Sequence, residues 1–419
     1  MLRLDGHNYS PAVLATILDA AARLHSHEAA AYAVGLTGVP ICPRHVGRLA
    51  TEFGTELAAH RDDKVARQRA RQLPTRVAAV PDVVAVEVDG GRLRTRAPGA
   101  GPGVHQPQAK EDKIACLVSL ESNTYEADPQ PEPPPALIEP RRVQRLVRQV
   151  HGSPGDMIEE EEGQEDAQRA AAAEAPAAHE RTSPRQRVRT CVASLRDSHA
   201  FGPMVAAEAH ERGFYQARRR AFVCDGLGYN WWIHRAYFKD FEPVVDLLHV
   251  VCYLYLAAWA AGGTRAEQWS RYLGWLRWAW RSQVAEVIAE LEGWQRALPA
   301  RLGEPPEGAE LEEHDPRRLV AEARRYLSNN AGRMDHVRYR KAGLPVTSSL
   351  AESLVGEFNA RVKGRGKFWD RLDGKGGEAM LQLRAAVLSE DDRLARYFAQ
   401  RPGTPYRRRQ PAKRGAKAA

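Results

Sequence analysis

Hydrophobic positions in the first 75 residues recur at helical spacing. Val46, Leu49, Phe53 and Leu57 lie three or four residues apart, so they share one face of a helix predicted from Arg44 to His60. The stretch His27 to Leu36 predicts a shorter helix before it, with Thr37-Gly-Val-Pro-Ile-Cys-Pro43 as a tight connection. The opposite face of the longer helix carries Arg44, Arg48 and Glu52. A helix, a Gly-containing turn and a second helix with exposed arginines is compatible with helix-turn-helix DNA binding, although spacing alone favours an ordinary helical hairpin. From Asp82 the rhythm changes, because Val84, Val86 and Val88 alternate with other residues in the period of a strand. Asp89-Gly-Gly then predicts a hairpin turn into a second strand over Arg92 to Arg96, and Lys113 to Leu120 predicts a third.

Both rhythms stop between Ala127 and Pro184, where Pro-Glu-Pro-Pro-Pro, Glu159-Glu-Glu-Glu162 and an Ala-rich tract follow one another. Such composition buries too little apolar surface to offset chain entropy, which predicts a mobile acidic insertion with a short helix at Arg141 to Val150. Beyond it come a helix from Pro203 to Arg218, a strand at Ala221 to Cys224, a helix from Tyr229 to Phe238 and a strand at Pro243 to Leu247. That alternation suits the parallel part of a mixed sheet covered by helices. Leu248 to Arg340 lacks strand signals but holds Trp259, Trp269, Trp275, Trp278, Trp280 and Trp294, a helical insert whose tryptophans belong to its core rather than to a base-stacking platform. The chain therefore divides into helices (1–78), a first sheet segment (79–126), the acidic insertion (127–184), a second sheet segment (185–248), the helical insert (249–343), a closing helical region (344–398) and a basic tail (399–419).

Bulk properties narrow the function. With 419 residues, 43% of them hydrophobic, the chain is long enough for several packed units, and its formal charge of +8 favours an anionic partner such as nucleic acid. No run of 18 apolar residues and no secretory signal is visible, so a cytoplasmic, nucleoid-associated protein is expected, with no membrane partner. Cys42, Cys116, Cys191, Cys224 and Cys252 form no Cys-x-x-Cys pair, which argues against a zinc ribbon or a disulfide framework.

The candidate chemistry lies in carboxylates. Asp89 closes the run Val-Val-Ala-Val-Glu-Val, Asp225 closes Ala-Phe-Val-Cys, and Glu352 lies in the helix-like Ser-Ser-Leu-Ala-Glu-Ser-Leu-Val. Each has an ordinary explanation alone: hairpin chemistry for Asp89 before two glycines, a helix cap for Asp225, helix propensity for Glu352. Together they place two aspartates at the carboxyl ends of predicted strands, where mixed sheets bind ligands, and a glutamate on a helix that could cross that edge. Carboxylates so gathered repel by roughly 4 kcal/mol per pair at about 4 Å, with an effective dielectric of about 20, so they sit together mainly around cations.

These residues resemble the DDE transposases of bacterial insertion sequences, of the kind with a helical insertion before the last glutamate. The resemblance rests on Val88-Asp89-Gly90, Phe222-Val-Cys-Asp225-Gly226 with Trp231-Trp-Ile233, Asp246-Leu-Leu-His249, and Val346-Thr-Ser-Ser-Leu-Ala-Glu352-Ser with Asn359-Ala-Arg-Val-Lys363-Gly and Lys367-Phe-Trp369. It implies an α/β mixed-sheet ribonuclease H-like catalytic domain with a helical insertion and a helical amino-terminal domain. It also implies Asp89, Asp225 and Glu352 as catalytic ligands of two Mg2+ ions, which Mn2+ could replace. Asp246 and His249 look like a supporting Asp-x-x-His element; a competing assignment makes Asp246 the second ligand. The turns after Glu352 hold Gly356 and Asn359 where such enzymes place a basic residue, and Arg361, Lys363, Arg365 and Lys367 are the expected substitutes for phosphate contact, beside Arg44 and Arg48 in the amino-terminal helices.

The expected function is a transposase that cuts double-stranded DNA at its element's ends and joins the 3' hydroxyls to target DNA, as a homo-oligomer. The alternatives are a structure-selective nuclease of the same sheet class and a non-catalytic DNA-binding remnant or regulator. Full-length relatives usually carry more sequence ahead of the DNA-binding helices, which motivates the remnant.

Overall fold

The computed structural model describes residues 9–95, 108–151, 182–303, 311–363, 367, 369 and 375–401; the side chains of Gln108, Ala109, Glu352 and Lys375 are not among what is described. Three helices come first, α1 (Pro11–Arg23), α2 (His27–Gly35) and α3 (Pro43–Arg69), followed by β1 (Val83–Thr95), β2 (Gln108–Glu121), α4 (Pro135–Ile138), α5 (Pro140–His151) and β3 (Arg185–Ser194). The chain continues with α6 (Ser198–Glu211), β4 (Arg219–Cys224), α7 (Gly228–Tyr237), β5 (Glu242–Val245), α8 (Leu247–Ala260), α9 (Arg265–Trp280), α10 (Val284–Leu302) and α11 (Pro316–Asn330). It closes with α12 (His336–Lys341), α13 (Ser349–Val362), α14 (Lys375–Leu388) and α15 (Arg393–Gln400).

One mixed sheet of five strands in the order β3-β2-β1-β4-β5 organises these helices. β2 runs antiparallel to both β1 and β3, while β4 runs parallel to β1 and β5 parallel to β4. Alternation along β1 sends Val84, Val86 and Val88 into a core shared with α6, α7, α8 and the helical insert. Val83, Ala85 and Leu93 enter a second core with α1–α3, α13 and α14. Both faces are thus covered, which explains the near-continuous apolar run at the start of β1. The buried guanidinium of Arg212 fastens β2 to β3, donating to the carbonyls of Leu117 and Val188 and to the hydroxyls of Thr190 and Ser119.

Three expectations are corrected here. Asp89-Gly-Gly is not a hairpin turn: β1 runs straight through it, with Asp89 opposite Ile114, Gly90 opposite Lys113 and Gly91 opposite Asp112. A Cβ on Gly91 would stand 2.9 Å from a carboxylate oxygen of Asp112, so glycine here serves close packing across the ladder rather than a turn. Arg92 to Thr95 therefore continues β1, with Arg96 outside the described residues, and the third strand of the sheet is Arg185–Ser194, whose alternating arginines conceal its strand character. Nor is the stretch from Ala127 to His151 a detached insertion. Leu137, Val143 and Val147 are buried in the first core, Tyr272 donates to the carbonyl of Leu137 at 2.8 Å, and Arg340 pairs with Asp128. Val143, Leu146, Val147 and Val150 make one apolar stripe at helical spacing, and that stripe outweighs the surrounding proline and charge. Residues 152–181 of the expected insertion lie outside the described residues.

The amino-terminal helices share the second core. Val46, Leu49, Phe53 and Leu57 of α3 are buried, and Gly54 lies so near the backbone of Ala379 on α14 that no Cβ fits. Trp275 and Trp280 are buried and the other tryptophans of the insert pack against the same core; Trp280 donates to the carbonyl of Gln130 at 2.8 Å. No helix among the described residues is long and apolar enough to cross a membrane.

Candidate functional site

Three aspartates leave the sheet in line. In the parallel ladders Val88 is paired with Cys224, and Cys224 with Val245. The next residues are Asp89, Asp225 and Asp246, so they form one row across three neighbouring strands, at a backbone spacing of about 5 Å; β4 and β5 end at this row, while β1 runs on to Thr95. Asp246 is held in this row by its own N–H, which donates to the carbonyl of Cys224 at 2.8 Å.

Their hydrogen bonds distinguish them. Asp246 is fully buried and caps α8: it accepts from Leu248 N–H at 3.2 Å, from Ser348 N–H at 2.8 Å and pairs with His249 Nδ1 at 2.7 Å. Asp225 accepts through Oδ1 from Leu227 N–H at 3.0 Å and from the amide of Asn230 at 2.9 Å. Asp89 accepts through Oδ1 from Gly90 N–H at 2.7 Å. For Asp89 and Asp225, Oδ2 accepts no hydrogen bond among the described residues.

Electrostatics follow the same division. Burial pushes the Asp89 carboxyl up to about 6, and the charges of Asp225 and Asp246 add to the rise against the pull of Gly90 N–H and His249. Burial raises Asp225 as well. Asp246 moves the other way, since its bond to His249 and the two backbone N–H groups outweigh its burial. Burial would lower His249, but Asp246, Asp225 and Asp89 together carry it up to about 9. His249 is therefore a cation at neutral pH, facing three carboxylates.

The loop behind Asp225 is clamped by the helical insert. Gly226 has φ of +89°, and atoms of Tyr326 and Asn330 stand 2.9 and 3.0 Å from where its Cβ would be. Asn330 in turn accepts from the indole of Trp231 at 3.1 Å. On the other side of the sheet edge lies α13. Glu352 is on this helix, and its side chain lies outside the described residues. One residue earlier, Ala351 N–H donates to the buried carboxylate of Glu87 at 2.8 Å. Among the described residues no group of three His, Cys, Asp or Glu side chains is close enough to hold a metal ion.

The expected DNA-contacting residues fall in different settings. Arg44 and Arg48 are exposed at the start of α3, with Arg48 at 3.0 Å from the ring of His45. Arg361 does not reach the surface: its guanidinium is buried against α1, donates to the carbonyl of Ala21 at 2.9 Å, and is pulled down to about 10 by burial. Phosphate contact by Arg361 is thereby corrected to a packing role. Lys363 is half-buried at the strand edge, its Nζ 3.2 Å from where a Cβ on Gly91 would be. Lys367 donates to the carbonyl of Arg361 at 2.9 Å, and Arg365 lies outside the described residues.

Two buried acids on β1 and β2 beside the site escaped the sequence reading. Glu87 lies two residues before Asp89 on the same face of β1, and a charged residue inside a valine run was the available signal. Asp112 is fully buried opposite Gly91, neither oxygen accepts a hydrogen bond among the described residues, and burial pushes it up to about 6 against the pull of Lys363. No signal in the sequence set Asp112 apart, because its place depends on the register of β2. No protein-family model matches the chain, and no curated protein sequence matches it.

Proposed function

We propose that the chain is a DDE-type DNA transposase with a ribonuclease H-like catalytic domain. The observation that carries this is the row formed by Asp89 within β1 and by Asp225 and Asp246 directly after the adjacent parallel strands β4 and β5, beside the helix that bears Glu352. A sheet of three antiparallel strands extended by two parallel ones is the layout the proposed domain requires. Asp89 and Asp225 fit a hard cation: each is half-buried, its carboxyl raised, and keeps one oxygen that no hydrogen bond occupies among the described residues. Asp246 fits less well, since Leu248, His249 and Ser348 already engage it, which favours Asp225 as the second ligand and leaves Asp246 and His249 as supports.

Asp89, Asp225 and Glu352 would hold two Mg2+ or Mn2+ ions, which lower the pKa of the attacking hydroxyl and stabilise the leaving oxygen. The chain's own groups supply orientation. Asn230 and Leu227 N–H fix the Asp225 carboxylate, Gly90 N–H fixes that of Asp89, and the His249 cation limits repulsion among the acids. Lys363, Arg44 and Arg48 would meet DNA phosphates, and paired element ends would engage a homo-oligomer.

The test is strand cleavage and joining on DNA carrying the sequences that flank the gene, with Mg2+ or Mn2+. D89N, D225N and E352Q should fold and bind DNA but neither cut nor join, whereas D246N should be milder. Native-like cleavage by all three variants would remove the proposal, and cleavage without joining would favour the nuclease.

A further inference from the structure

Glu87 occupies a position where packing asks for an apolar side chain. It follows Val83 and Ala85 on the same face of β1, its ladder neighbours are Cys116 and Val223, and it is 1% exposed. A carboxylate buried there is costly unless its charge is answered. The answer is the amino terminus of α13, where unpaired N–H groups and the helix dipole favour an anion: Ala351 N–H meets Glu87 Oε2 at 2.8 Å. Asp246 grips the same turn from the other side through Ser348 N–H, also at 2.8 Å. Two buried carboxylates, from β1 and from the end of β5, thus fasten the turn that leads directly into residue 352.

We infer that Glu87 is a positioning residue, which sets the depth and rotation of α13 so that Glu352 meets Asp89 and Asp225. It acts through the backbone of Ala351. The inference rests on Glu352 being the third ligand of the proposed metal site, so its test separates the two. The full chain is titrated with Mn2+ alone, followed by paramagnetic resonance, and amide hydrogen exchange is measured over residues 349–353 in wild type, E87Q and E87D. Gln keeps an acceptor oxygen at the right reach without the charge. Asp keeps the charge but withdraws the acceptor by one carbon–carbon bond.

Positioning predicts that E87Q stays close to wild type, while E87D weakens Mn2+ by about tenfold or more, as losses of outer supports of a metal site do. Faster exchange of the Ala351 amide accompanies that loss. A residue acting by charge alone gives the reverse order of variants, and a purely structural one lowers the melting temperature with Mn2+ affinity intact; either result overturns the inference. So does weaker binding in any variant whose Ala351 amide stays protected. If wild type itself fails to bind Mn2+, the metal site falls and the role of Glu87 falls with it, even where the exchange responds.

Discussion

Tyr326, on the helical insert, donates its hydroxyl to the backbone carbonyl of Asp225 at 3.0 Å while its ring closes over Gly226. The insert is therefore part of the wall of the candidate site. Tyr326→Phe removes one hydrogen bond, worth about 1 kcal/mol, and should lower the melting temperature by about 2 to 4 °C. Gly226→Ala should cost more, because its φ of +89° and the nearness of Tyr326 and Asn330 act together. Melting curves followed by circular dichroism rank the two; the opposite ranking would show a loop free to move aside.

Arg361 and Lys363 are two residues apart but should behave differently. Replacing buried Arg361 by Ala leaves the carbonyl of Ala21 without its donor and opens a gap against α1, so stability should fall by roughly 1–3 kcal/mol with the salt dependence of DNA binding retained. Lys363→Ala should weaken binding to all duplexes alike, with the salt slope reduced by about 1, and should also cost stability, because it removes the cation that answers the buried Asp112 carboxylate. Binding isotherms at several salt concentrations decide, and a reduced slope in the Arg361 variant alone would reverse the assignment.

His336 is fully buried with Nδ1 at 3.0 Å from the carbonyl of Ala279, and burial holds its pKa down at about 4. The unfolded chain protonates this imidazole near 6.5 and the folded chain does not, so its neutral form favours folding above about 6.5. That contribution is lost progressively as pH falls from 6.5 to 4, amounting to about 3 kcal/mol in full. The melting temperature should drop over this window, and His336→Gln should flatten the drop. An equal slope in the variant would place the acid sensitivity elsewhere.

Val143 and Val147 face α8 from a stretch whose composition reads as unstructured. Val143→Asp would bury an unpaired carboxylate, at a cost of several kcal/mol, and should yield protein that is cleaved by trypsin across the sheet domain. Trypsin resistance equal to wild type would mean that α5 detaches freely.

The legible parts of the sequence were those where one rhythm governs. The alternation of Val84, Val86 and Val88 located β1, and the helical spacing of Val46, Leu49, Phe53 and Leu57 located the buried face of α3. Asp246 with His249, four positions inclusive along one helical turn, could be read as a pair, and they do bond. What the chain conceals is context beyond the local window. Gly90 and Gly91 favour a turn until the facing strand and Asp112 are known. Arg187 and Arg189 look like surface charge until Glu121, Glu357 and Glu390 meet them across β3. Glu87 reads as an interruption because the N–H it serves belongs to a helix more than two hundred positions later.

The parallel pairing of β1 with β4, and of β4 with β5, also has a temporal side. Val88, Cys224 and Val245 become neighbours only once long stretches of intervening chain have been spanned, and closing such loops is what slows the folding of non-local sheets. During synthesis Asp89 therefore gains Asp225 and Asp246 as neighbours only after β4 and β5 have followed it off the ribosome, and the carboxylates remain mutually unrepelled until then.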